Sequence, residues 1–326
     1  MHISDTVLGG LTPLVVKGAV CRSLYPKPDL RPSGDEDLLI PPDQFPACHR
    51  AMLKLGMHTT MAPEQVEESY EVPYRTDAGP LYIELHRQLF PPESRAYGSL
   101  NLLFDGVFQR AEVQTVLGME VLTLSPTDHL LYLLLHAFKH FLHSGFGIRQ
   151  VCDIVLFANA WGSRVDWDAL LERCRSVRAE KFTAALFRIG QTYLVFDPDR
   201  ACYPDAWQDI PVDEAPLLND LLSGGLYGDA SLSRKHSSTI TLDAVAAQKQ
   251  GRSSGSLMTT LFPPARQLEG RYPYLREKPW LLPAAWGHRL LKYSRETGTA
   301  ADSSAAEALK IGKERLALLK EYGIVE

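Results

Sequence analysis

The strongest constraint on the fold is a punctuation pattern close to the start of the chain. LTPLVVK, residues 11–17, is an apolar run of strand length; Gly18 breaks it, and AVCRSLY continues as the opening of a helix. A Pro-rich loop, PKPDLRPSG, then leads to Asp35, Glu36 and Asp37, followed at once by Leu38, Leu39 and Ile40. Three adjacent carboxylates repel one another at the mouth of an apolar strand unless a cation lies near. Side chains alternate along a strand, so Asp35 and Asp37 share one face and Glu36 takes the other. Such a pair can hold one or two hard cations and leave the rest of the shell to substrate phosphates. The competing reading is a solvated turn before an edge strand.

A third carboxylate, Glu84, stands in a second strand-like stretch, LYIELH, with Ile83 and Leu85 directed to the opposite face. His86 follows by two, so it projects on the side of Glu84, either to orient a ligand or to pack. Lys17 ends an apolar strand beside a glycine turn whose backbone N–H groups suit a phosphate, and a buried ammonium there needs an anion. Arg31, four residues before Asp35, suits a bidentate phosphate contact or an internal salt bridge to Asp35 or Asp37. Carboxylates on two neighbouring strands beside a phosphate turn match two-metal phosphoryl transfer.

The remaining pattern places these strands in a small sheet with helices packed on it. Pro41 and Pro42 suit a helix start and Gly56 its end, and MHTTM, YEVPYR and LYIEL carry β signals. From Pro126 the period becomes helical, through TDHLLYLLLHAFKHFL, IRQVCDIVLFANAW, DWDALLERCRS and KFTAALFRIGQTYLV. His136, Lys139 and His140 share a helix face, continued by His143. That face closes a cleft over the aspartates with Lys139 on phosphate, packs with its histidines bonded to Asp153, or chelates a transition metal in a helical metalloprotein. Ser223 to Gly255 is polar and reads as a long loop, and AAEALKIGKERLALLKEYG reads as a closing helix.

Charge and composition narrow the partners. With 34 basic and 39 acidic side chains the net charge is −5, which argues against nucleic acid as the acceptor. Five dispersed cysteines without a CxxC pair fit a reduced, cytoplasmic setting. No apolar run reaches membrane-spanning length, and MHISDTVLGG lacks a basic n-region and an apolar h-region, so no membrane association is expected.

The run LVVKGAVCRSLYPKPDLRPSGDEDLLI, with IELHRQLF further on and then LSPTDHLLYLLLHAFKHF and QVCDIVLFAN, resembles the uncharacterised nucleotidyltransferase family within the DNA polymerase β-like superfamily. The resemblance implies an α+β protein: a minimal nucleotidyltransferase mixed sheet flanked by helices, followed by a mostly helical C-terminal region. Domains at 1–122 and 123–326 are expected, the first catalytic. The implied activity is Mg²⁺-dependent (or Mn²⁺-dependent) transfer of a nucleoside monophosphate from an NTP, ATP foremost, to an unidentified small-molecule, peptide or protein acceptor. Asp35, Asp37 and Glu84 become the catalytic, metal-binding carboxylates. Lys17, Gly18, Arg31, His136, Lys139 and His140 become the nucleotide contacts. Such enzymes usually carry an apolar residue where this chain has Glu36, which is expected to reach solvent. The alternative is a non-catalytic nucleotide-binding or antitoxin-like interaction protein that keeps the fold.

Overall fold

The computed structural model describes residues 10–32, 35–77, 79, 81–143, 145–224, 232–249, 265–268, 272–288 and 305–326. The apolar run at the start contributes only a short strand, β1 (Leu14–Val15), and Gly18 opens a short helix, α1 (Gly18–Arg22). The acidic strand is β2 (Glu36–Leu39), with Asp35 just ahead of it. After helices α2 (Phe45–Lys54) and α3 (Pro63–Glu68) come the antiparallel strands β3 (Glu71–Arg75) and β4 (Tyr82–His86). A hairpin follows, β5 (Glu112–Val116) and β6 (Met119–Thr123), turned by Leu117 and Gly118 at φ 51° and 80°. Two positive φ angles are what a type I′ hairpin turn requires.

The six strands form one mixed sheet in the order β3-β4-β2-β1-β6-β5, so the chain is α+β as expected. β2 lies between β1 and β4, antiparallel to the first and parallel to the second. Apolar positions of β2–β4 with α2 and α3 build one core, in which Ile40, Phe45, Met52, Val72, Tyr74 and Leu85 are buried. The helical periods from Pro126 appear as α4 (Pro126–His143), α5 (Ile148–Trp161), α6 (Trp167–Ser176) and α7 (Glu180–Tyr193). The segment MHTTM, expected to be β, contributes only a single bridge, His58 with Arg75.

The chain divides into two compact units, Met1–Ala137 with Arg149–Glu214, and Phe138–Ile148 with Ala215–Glu326. In the second, α8 (Ala215–Gly224) is followed by α9 (Leu232–Lys249), which corrects the expected long loop at Ser223 to Gly255. Residues 225–231 and 250–255 of that stretch lie outside the described residues. α9 packs on the last helix, Ala305–Glu321, so closely that a Cβ on Gly312 would meet Ile240 Cδ1 at 2.4 Å. Thr241 Oγ1 donates to the Leu142 carbonyl at 2.6 Å, and Arg315 donates to the carbonyls of Phe141 and His143. These bonds satisfy backbone acceptors that the end of α4 leaves open. No helix among the described residues is long and apolar enough to cross a membrane.

Candidate active site

Register brings the acidic residues together. β2 and β4 run parallel with Asp37 beside Glu84 and Leu39 beside His86, while β3 sets Glu71 opposite His86. Asp37 and His86 are almost inaccessible, whereas the side chains of Glu84 and Asp35 keep 22% and 28% exposure. His86 Nε2 lies 3.3 Å from Asp37 Oδ1 and 3.7 Å from Glu84 Oε2, and its Nδ1 lies 3.7 Å from Glu71 Oε2. Asp37, Glu84 and His86 each offer a ligand atom, all within 4.8 Å of one another. Two carboxylates and an imidazole with a carboxylate behind it form a familiar metal-binding arrangement.

The cluster also holds cations of its own. Lys17, at the end of β1, is buried, with Nζ 2.7 Å from Asp37 Oδ2 and 3.3 Å from Asp35 Oδ2. Burial alone would lower its pKa, but Asp37 and Asp35 hold it above the ordinary lysine range. Burial works the other way on Asp37, and Lys17, then His86, outweigh it to keep the carboxyl well below the usual carboxylate range. Against its own burial, His86 is raised to about 9 by Asp37 and Glu84. The Glu84 carboxyl is pushed up, first by burial and then by Glu71 and Asp37, with His86 opposing. Tyr132 of α4 is fully buried, and its hydroxyl is pushed far up by burial and then by the charges of Asp37, Glu84, Glu71 and Asp35.

Several expected contacts fall elsewhere. Glu36 turns inward, with only 19% of its side chain exposed: its carboxylate accepts the Ala19 N–H at 2.6 Å and Arg22 Nη2 at 2.8 Å. The backbone donor beside Gly18 is therefore bonded to this side chain, and a Cβ at Gly18 would stand 1.8 Å from Glu36 Oε2. Arg31 pairs with neither Asp35 nor Asp37. Its Nε and Nη2 donate to Asp153 of α5 at 2.8 and 2.9 Å, and the Tyr25 hydroxyl donates to the same carboxylate at 2.9 Å. Asp153, a sequence candidate for bonding the α4 histidines, is thus engaged by Arg31 and Tyr25. His136 sets its ring edge-on to Tyr132 at 5.5 Å, one turn further along α4. Lys139 and His140 belong to the second unit.

The sequence profile of the uncharacterised nucleotidyltransferase family matches residues 8–194. The chain belongs to that family. No curated protein and no solved structure matches it. The matched residues span the whole sheet and α4–α7, so every residue of the acidic cluster lies inside the nucleotidyltransferase match. Family membership supports nucleotidyl transfer as the general chemistry and implies a nucleoside triphosphate as donor, and Asp37, Glu84 and His86 are potential metal ligands. Two residues of this neighbourhood carried weak or no sequence signal. His86 was legible only as a residue on the side of Glu84, and Tyr132 sits in an apolar helix where it reads as core.

Proposed function

We propose that the chain transfers a nucleoside monophosphate from an NTP, ATP foremost, to the hydroxyl of a small-molecule, peptide or protein acceptor. The observation that carries this reading is the convergence of Asp37, Glu84 and His86 ligand atoms within 4.8 Å on two parallel strands. Two carboxylate oxygens and an imidazole nitrogen fit a divalent cation, Mg²⁺ or Mn²⁺, and the imidazole favours Mn²⁺. Asp37, Glu84 and His86, with Asp35 beside them in a two-metal scheme, would hold the cations, which would supply charge stabilisation for the triphosphate and acidify the acceptor hydroxyl. Glu71 lies 3.7 Å from His86 Nδ1, beyond hydrogen-bond reach, and adds negative charge behind the ring. Lys17 and the Gly18 turn lie at the same end of the central strands as the cluster, and Lys17 is the cation set for the phosphate chain. The net charge of −5 favours an acceptor other than nucleic acid.

One observation favours a second reading. Lys17 gives the aspartates a buried counter-ion, which would also suit a non-catalytic nucleotide-binding or antitoxin-like protein. Incubation of the full chain with each α-labelled NTP, a cell extract and Mg²⁺ or Mn²⁺ separates the two. Transfer of label with release of pyrophosphate, abolished by Glu84→Gln, is the expected result. NTP binding without label transfer or pyrophosphate in either metal would leave the binding protein.

A further inference from the structure

Arg149 is the second residue of α5, and Asp153 follows it by four, so the two project from one face a turn apart. That face is fixed in place: Asp153 is gripped by the Arg31 fork and the Tyr25 hydroxyl, from the segment between α1 and β2. Arg31 leaves only its Nη1 without a hydrogen-bond partner, whereas Arg149 leaves two donors so. Its Nε and Nη1 are shut off from solvent, and among the described residues neither has a hydrogen-bond acceptor. It also lies close enough to Lys17 to oppose that residue's charge, and close enough to act on the buried Cys21 thiol.

The nearby carboxylates already have partners. Asp153 takes Arg31 and Tyr25, Asp35 and Asp37 take Lys17, and Glu36 takes Arg22 and the Ala19 N–H. A guanidinium with two dehydrated donors, held near an ammonium of like sign, is unfavourable unless an anion completes it. Its planar guanidinium holds these donors in fixed directions, which suits an anion with several oxygens, such as a phosphate chain.

We infer that Arg149 is the anion seat of this site and that its ligand is the phosphate chain of the nucleotide, the role that Arg31, committed to Asp153, does not fill. This rests on the proposed nucleotidyl transfer, because it is the adjacency of Lys17, Asp35 and Asp37 that makes a triphosphate the anion expected. The test compares the full chain with Arg149→Gln and Arg149→Lys. Calorimetry would follow binding of Mg²⁺·ATP, inorganic tripolyphosphate and adenosine, and electron paramagnetic resonance would follow Mn²⁺ alone. Arg149→Gln should weaken ATP and tripolyphosphate alike by about tenfold or more, the size of a lost charged hydrogen bond. Adenosine and Mn²⁺ binding should hold, and Arg149→Lys should recover part of the loss. Should the glutamine variant fail to fold, the lysine variant still decides, since it keeps the charge and loses the planar guanidinium. ATP and tripolyphosphate affinities within twofold of the parent in the folded variants would overturn the assignment. A parent that binds both probes through Arg149 yet transfers no nucleotide would sink the transferase reading and leave the anion seat standing.

Discussion

Asp37 and Asp128 are equally buried, each about 1% exposed, and each is held by cations, yet their surroundings differ in kind. Asp128, in the first turn of α4, accepts from Arg110 Nε and Nη2 at 2.8 and 3.1 Å, Arg173 Nη1 at 2.7 Å and Ser125 Oγ at 2.9 Å. Burial raises its carboxyl, and those donors outweigh burial to hold it below the usual range. The network is closed, with donors filling both oxygens, and it ties the segment after α3 and β4 to α4 and α6. Around Asp37 the balance is reversed. Asp35, Glu71 and Glu84 crowd in, with Lys17 and His86 between them. A saturated network has no capacity for a ligand; a cluster with excess like charge gains stability by binding one. The difference distinguishes scaffold from candidate site among residues with the same burial.

The sharpest way to break this comparison is to neutralise each aspartate. Asp128→Asn should cost about 3–5 kcal/mol in urea unfolding, because it leaves two guanidiniums without their shared partner, and Asp37→Asn less, because Lys17 keeps Asp35 and His86 keeps Glu84. Only Asp37→Asn should also abolish Mn²⁺ binding and label transfer. If Asp128→Asn weakened metal binding as much, the division into scaffold and site would collapse.

A smaller effect comes from His129, a third buried ionisable group, which stays neutral. It is completely buried, 3.3 Å from Thr123 Oγ1 and with its ring 4.7 Å from that of Phe157, and burial lowers its pKa from 6.5 to about 3. Because the folded value is depressed, the unfolded chain binds the proton first as pH falls. The stability is present above pH 6.5 and is lost progressively between 6.5 and about 3. By pH 5 the loss should reach about 2 kcal/mol relative to neutral pH. Denaturant titrations at several pH values, with His129→Gln as reference, would check it; parallel pH profiles for the two chains would remove His129 as the cause.

The mildest effect on folding belongs to Glu84→Gln, which relieves repulsion with Asp37 and Glu71. Its melting temperature without metal should be equal or slightly higher, while Mn²⁺ affinity falls by roughly tenfold or more. A clear loss of stability would mean that Glu84 is needed to hold His86 rather than a cation.

Strand alternation and helix period were legible at the positions that matter most. β2 and β4 begin close to where the sequence pattern places them, and α4–α7 follow the apolar spacing. The β5–β6 hairpin was not legible, since Leu117-Gly118 replaces the usual Asn-Gly signal and Leu117 itself takes the positive φ. α9 was hidden by its Ser and Thr residues, which favour turns in isolation. Tertiary packing overrides that preference: Ser237 and Thr241 are completely buried, and Ile240 packs against Gly312.

By itself, then, the sequence determined which carboxylates sit on strands, how their faces alternate and where the helices run, because these follow from the local periods of two and 3.6 residues. Partner choice was decided only in the tertiary structure. Glu36 turns back 17 residues to Ala19, Arg31 reaches 122 residues forward to Asp153, and His86 meets Asp37 across 49. Among the described residues, Arg149 Nε and Nη1 have no acceptor, while Asp35, Asp37, Glu36 and Asp153 are engaged by other side chains. Those choices depend on strand register and on which group comes closest in a dry interior, where one added donor or charge outweighs any local preference.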